Sequence, residues 1–390
     1  MTIAKTQKLT VKAAMAALLS VLLLNEARAA TWLVGPRGLP LSFQEALAKA
    51  RDGDRIDVLA GTYKGEVATI AQRRLSIRGI DGRPVFEADG KHAEGKAIWV
   101  VRDGEIDIEN IEFRGSRVPD GNGAGIRFEK GRLLLRRCRF IDNQNGLLTS
   151  NADDAELRIE DSEFAQAPHQ TGNLPHLLYV GPIGKFTVTG SRFHQGFEGH
   201  LIKSRARISH ILYNLIYDGR GGEASYEIDL PQGGDALIVG NIVGQSGKTQ
   251  NPTVVAYGAE GNAWPKSRLL LSHNTLISDY PVAWFLRTWP DKLPPGTPVR
   301  AVNNLTVGVG VFTLGATGSF DGNYPALASM LEDPQILAFE LKPDALLRGR
   351  ADDPRALAGE EAVPTAEFRL PVGTRPLAAP TRWSPGALQR

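Results

Sequence analysis

Between about residues 97 and 314 the chain is a succession of short alternating apolar and polar runs. Each run ends in a polar or small residue, with an apolar side chain two or three positions later. Examples are IDIENIEF (106–113), LLLRRCRF (133–140), LRIEDSEF (157–164), FTVTGSRF (186–193), ILYNLIY (211–217), LIVGNIV (237–243), LLLSHNTLI (269–277) and VRAVNNLTV (299–307). Aligned on the residue before the last turn, they place Asn110, Arg137, Asp161, Gly190, Asn214, Asn241, Asn274 and Asn304 in one column. A second series lies between them: AIWVV, GIRF, GLLTS, HLLYV, HLIKS, YEIDL, TVVAY, VAWFL and VFTL. Alternation of period two predicts strands, and the Gly and Asn between them predict corners. With no amphipathic helix intervening, two or three short strands per repeat describe the coils of a parallel β-helix. The spacing is too short for a propeller blade of about 40–50 residues. Phe113, Phe140, Phe164, Phe193 and Tyr217 are expected to stack inside the coils.

An open solenoid needs lids over its exposed cross-sections. SFQEALAKARDGD (42–54) puts Phe43, Ala46, Leu47 and Ala50 on one helical face, closed by Asp52-Gly53, and predicts the amino-terminal lid. From about residue 341 the alternation fades and prolines recur, so 341–390 is expected to wrap irregularly against the coils. At the start, Lys5, Lys8 and Lys12 precede AAMAALLSVLLL, and Ala27-Arg28-Ala29 offers small residues for cleavage. Residues 1–29 therefore read as a secretion signal, and that apolar run is shorter than the roughly 20 residues of a membrane span. The expected organisation is a signal segment (1–29), a β-helix (30–340) and a tail (341–390), acting as a monomer with no membrane span after cleavage.

The whole chain carries 45 Lys and Arg against 43 Asp and Glu, net +2. Cleaving 1–29 removes four positive charges and one negative, leaving about −1. No polycationic surface of the sort that binds nucleic acid remains. The single cysteine, Cys138, has no partner for a disulfide and reads as a buried thiol.

The opening WLVGPRGLPLSFQEALAKARDGDRIDVLAGTYKGE (32–66), the repeat, and the tail stretch DPQILAFELKPDALLRGRADDP (333–354) resemble secreted right-handed parallel β-helix proteins of the pectate lyase-like superfamily. The resemblance spans nearly all of the expected mature chain. It implies the fold and a periplasmic or secreted location. For activity it leaves open polysaccharide lyases, hydrolases, epimerases, esterases and non-catalytic spikes.

Candidate chemistry lies in GHLIKSRARISH (199–210). With Ile202 inward, strict alternation turns Leu201, Lys203 and Arg205 outward; with Tyr226, Ile228 and Leu230 inward, it turns Glu227 and Asp229 outward. Tyr179 and Glu227 each lie 24 residues from Lys203, which predicts one outward column of Tyr179, Lys203 and Glu227 beside a second of Arg205 and Asp229. Such a face suits an anionic polysaccharide. β-Elimination beside a uronate carboxylate needs a base, a cation for the developing enolate, and an acid for the leaving oxygen. Lys203 is the expected base, Arg205 or a bound Ca²⁺ the counter-charge, and Tyr179 or His200 the proton donor. Glu198, Glu227 and Asp229 are the expected oxygen ligands for the metal. Glu227, Asp229, Tyr257 and Arg287 are expected to contact the sugar chain, with Glu260 on the later coils or loops beside them and stacking on Trp264, Trp284 and Trp289.

HLIKSRARISHILYNLIYDG (200–219) and YEIDLPQGGDALIVGN (226–241) are also similar to adjacent coils of polysaccharide lyases of the chondroitinase B and alginate lyase type. There Lys203 matches the lysine base, and Glu198 lies where a calcium-binding glutamate is carried. The family's Arg-His-Gly turn is replaced by Leu230-Pro231-Gln232-Gly233, with Arg220 as the substitute cation. Two other readings compete with a lyase. One is a non-catalytic glycan-binding or structural β-helix in which Lys203, Arg205, Glu227 and Asp229 are simply ion pairs. The other is a hydrolase or epimerase, for which SNADD (150–154) would offer the carboxylates.

Overall fold

A computed structural model of the chain describes residues 29–219 and 221–389. Most of the expected signal segment, residues 1–28, and Arg220 lie outside the described residues. The rest is the expected parallel β-helix, in which three sheets of 11, 10 and 11 parallel strands run the length of the molecule. Each coil contributes one strand to each sheet, so neighbours in space are about one coil apart in sequence. The ten-stranded sheet contains the second strand series, from Ala97–Val101 through His176–Val180 and Ile202–Ser204 to Gly310–Leu314. Among the described residues no helix is long and apolar enough to cross a membrane.

The lid helix is shorter than its pattern, spanning Phe43–Lys49. Ser42 and Glu45 form a reciprocal capping box at its start, and Phe43, Ala46 and Leu47 are buried against the first coils. Ala50 is already extended, and the Asp54 carboxylate accepts hydrogen bonds from Arg51 N–H and Trp32 Nε1, so the final turn goes to holding the first strands.

Inside, Phe113, Phe140, Phe164 and Phe193 stack at centroid distances of 5.2, 4.5 and 4.8 Å. Tyr217 does not continue the stack: Phe193 is in register with Ile216, and Tyr217 lies outside against Phe339 of the tail. The same one-residue slip divides the predicted column. Asn110, Arg137, Asp161 and Gly190 share a left-handed corner with Tyr213, Gly240, His273 and Asn303, all at positive φ. Asn214, Asn241, Asn274 and Asn304 stand one residue later, in the column of Cys138, Ser162 and Ser191. That column is a continuous hydrogen-bond ladder. Each Asn Oδ1 accepts the backbone N–H and the Nδ2 of the Asn one coil before, all at 2.9 Å from Asn214 to Asn304. Cys138 begins the ladder with its N–H on Ser162 Oγ, and burial pushes its thiol up to about 11.

The last strand of the three sheets is Tyr324–Ala326. From there the chain returns along the outside of the second eleven-stranded sheet. Leu331, Phe339, Leu341, Phe368 and Leu388 pack on Leu215, Ile242, Ile277 and Leu305. The return reaches back to the coil of Gly190, whose carbonyl accepts the Gly373 N–H. The tail thus covers the side of the helix as well as its last coils. It includes two antiparallel strand pairs and a short helix, Pro354–Ala358.

Candidate functional site

The outward positions of the ten-stranded sheet are set by its corners. Leu177 and Leu178 both enter the core, as do Leu201 and Ile202, so outward residues in each strand lie three apart rather than two. The result is two neighbouring columns. One holds Leu148, Tyr179, Lys203, Asp229, Ala256 and Arg287; the other holds Asn145, His176, His200, Tyr226, Thr253 and Trp284.

This corrects the predicted face. Asp229, not Glu227, is the register partner of Lys203. Glu227 takes the inward place that Leu201 and Val254 fill on adjacent coils, with no exposed surface. Burial, reinforced by the nearby Asp218, pushes its carboxyl well above the ordinary range. Asp218 is itself raised to about 6 by burial. Glu227 therefore cannot meet a sugar chain or share a metal with Asp229. Tyr257 is also interior: its ring is in the core and its hydroxyl donates to the Gly234 carbonyl at 2.7 Å. Glu198 sits in a turn at φ 51. The three carboxylates expected to bind calcium do not converge, and among the described residues no three His, Cys, Asp or Glu form a metal-binding group.

What the fold does bring together is a linked set of titratable side chains. The Lys203 ammonium lies 2.8 Å from Glu260 Oε1 and 3.5 Å from Asp229 Oδ2. Arg205 donates to the other oxygen of Glu260 and to the Tyr179 hydroxyl, with its guanidinium over the tyrosine ring. Asp229 Oδ2 lies 3.2 Å from His200 Nδ1, but neither that nitrogen nor Asp229 Oδ1 makes a hydrogen bond. The rings of His176 and Tyr226 flank His200 at 4.8 Å each.

Burial opposes ionisation of Glu260, but hydrogen bonds from Lys203 and Arg205 outweigh it and hold the carboxyl below its ordinary range. Burial, then the neighbouring His200, Lys203 and Arg205, holds His176 well below its own. Its Nδ1 accepts the His200 N–H at 2.9 Å, so the neutral ring carries its proton on Nε2. Arg287, three coils beyond Lys203, lies between the rings of Trp284 and Trp289, 4.4 and 4.6 Å from their centroids.

Beside His176 and Tyr179 a cleft of about 600 Å³ runs back along the same sheet, lined also by Asn145, Arg127, Lys96 and Asn173. A larger cavity of about 850 Å³ lies against the tail near Leu327–Gln335, away from this cluster.

The sequence offered Glu260 only among later loop residues, because it lies in the loop 258–267, 57 residues from Lys203, and no periodicity ties it to the cluster. Tyr226, expected inward, faces His200 instead, and His176 was missed. His176 had a signal: His176/Tyr179, His200/Lys203 and Tyr226/Asp229 repeat one three-residue spacing on successive strands, and Trp284/Arg287 repeats it two strands later.

No family model and no curated protein matches the sequence. Among solved structures, the pectate lyase Pel9A superposes with a TM-score of 0.61 over 93% of this chain and 96% of that one, at 14% identity. An alginate lyase from Paenibacillus sp. str. FPU-7 reaches only 0.42, covering 76% of this chain and 99% of that one at 14% identity, a likeness too loose to carry weight. What the chain shares with Pel9A is its architecture: it has the pectate lyase-like parallel β-helix fold.

Proposed function

We propose that the protein is an extracytoplasmic polysaccharide lyase, periplasmic or secreted, that cleaves a uronate-containing polysaccharide by β-elimination. One observation carries this reading: two cations, two histidines and two tyrosines are linked on the outward face of one sheet, at the end of an open cleft. The likeness to a pectate lyase supports it at the level of fold.

On this reading the division of labour differs from the one expected from the sequence. Lys203 already pairs with the carboxylates of Asp229 and Glu260, and on this reading it joins Arg205 in neutralising the uronate carboxylate. His200 is the general base. Asp229 lies 3.2 Å from Nδ1, close enough to take up that N–H as charge develops on the ring, leaving Nε2 to take the proton next to the substrate carboxylate. Tyr179 is the general acid. Its hydroxyl accepts from Arg205, so its own proton remains available for the leaving oxygen. As that proton moves, the pair of electrons from the broken C–H bond forms the new double bond and the C–O bond opens.

The test is incubation with galacturonate, mannuronate/guluronate and glucuronate polymers, following the ultraviolet absorbance of the unsaturated end. Product from at least one polymer is expected; none from any contradicts the proposal. In the latter case the closed ion-pair network favours a second reading, a non-catalytic glycan-binding β-helix.

A further inference from the structure

Lys203 and Arg205 present their charged ends to the two oxygens of a single carboxylate, that of Glu260. A uronate is recognised by the same arrangement: two cationic donors, one per oxygen. The Lys203 and Arg205 side chains are largely buried, whereas the Glu260 side chain is 43% exposed.

The loop that bears Glu260 is independently anchored. Glu260 N–H donates to the Pro231 carbonyl, Trp264 Nε1 to the Arg205 carbonyl at 2.9 Å, and Lys292 Nζ to the Ala259 carbonyl at 2.6 Å. None of these bonds uses the Glu260 carboxylate. Its side chain can therefore turn out to solvent while the loop stays in place. The cations, by contrast, are held from below by Asp229 and Tyr179.

We infer that the Lys203–Arg205 fork is the site for the substrate's uronate carboxylate and that Glu260 fills it in the free protein as an internal competitor. This rests on the reading that the face binds uronates, but not on its being catalytic. Substrate entry then requires only rotation of Glu260, with no movement of the loop. The competitor also makes the site selective: a neutral sugar gains nothing from entering the fork, while an anionic one replaces the ion pairs it breaks. Arg287 is held by two indoles, and among the described residues it pairs with no carboxylate.

The experiment is calorimetric titration of the mature protein with trimers of galacturonate, mannuronate, guluronate and glucuronate, and with their carboxyl-reduced counterparts. For at least one uronate trimer, Glu260→Gln should bind about three- to tenfold more tightly than the unaltered protein, the range set by the two partly exposed ion pairs that Glu260 makes. The reduced trimers should show no gain. Asp291→Asn, which removes one charge from an exposed neighbouring turn, should also show none. Glu260→Asp, too short to reach both cations, should gain in the same direction and serves if Glu260→Gln fails to melt cooperatively.

An unchanged or weaker affinity in the Glu260 variants overturns the inference. So does an equal gain with Asp291→Asn or with reduced trimers, or an absence of binding by every form. A lyase that fails to yield product but shows the selective gain would lose its proposed reaction and keep this site.

Discussion

Two columns of polar residues run along this β-helix at the period of its coils, and they differ in kind. The interior ladder from Asn214 to Asn304 repeats one residue type, and every rung makes the same bonds at the same distances. The outward column reads Leu148, Tyr179, Lys203, Asp229, Ala256, Arg287, with no two alike, and includes a carboxylate oxygen that accepts nothing. A uniform, fully satisfied column is what the fold requires, because each buried backbone N–H needs its acceptor. The outward column answers no such demand. Earlier on the same sheet the column passes through Val100, Arg127 and Leu148, so apolar residues occupy it without loss of the coil. Polar chemistry gathered there in one place is therefore chemistry the fold does not need.

That contrast breaks if the two columns respond alike to substitution. The largest effect expected is on turnover. Lys203→Met or Arg205→Met should lower product formation by at least about a hundredfold, as removal of a donor to a developing charge does. Thermal melting should be little altered. In the ladder the order reverses. Asn241→Ala removes the acceptor for the Asn214 N–H and the donor to the Ile211 carbonyl, costing roughly 2–5 kcal/mol. Denaturant titration should show that loss, with the activity per folded molecule retained. Arg287→Ala should raise KM about fivefold, the scale of one stacked cation, with kcat nearly unchanged in steady-state assays.

The smallest effect concerns Glu227, which shares the strand of Asp229 but faces inward. Its carboxyl is raised well above the ordinary 4.5, so the folded chain holds a proton that the unfolded chain releases. Stability therefore falls as pH rises above about 4.5, and Asp218, raised to about 6, acts in the same direction. Glu227→Gln should remove the first contribution. Its melting temperature should exceed the parent's by roughly a few degrees at pH 8, with the gain shrinking toward pH 4.5. A gain independent of pH would contradict this account.

Period-two alternation and Gly/Asn corners are local signals, so the strand series, the lid helix and the Phe113–Phe193 stack were legible in the sequence. Coil length was less so. The step from Gly190 to Tyr213 is one residue shorter than the alignment assumed, and that shift misplaced Asn214 and Tyr217. The site failed to read for a related reason. Strict alternation ignores the corner that sends Glu227 and Ile228 inward together, so Glu227 was exchanged for Asp229. Glu260 comes from a loop between coils, where no period constrains position.

The most direct test of the central claim is digestion of the responsive uronate polymer in heavy-oxygen water, with the new ends read by mass spectrometry. β-Elimination predicts unsaturated ends free of solvent oxygen, formed by the unaltered protein and lost in Lys203→Met and Arg205→Met. Saturated new non-reducing ends, or unsaturated ends undiminished in both variants, would contradict it.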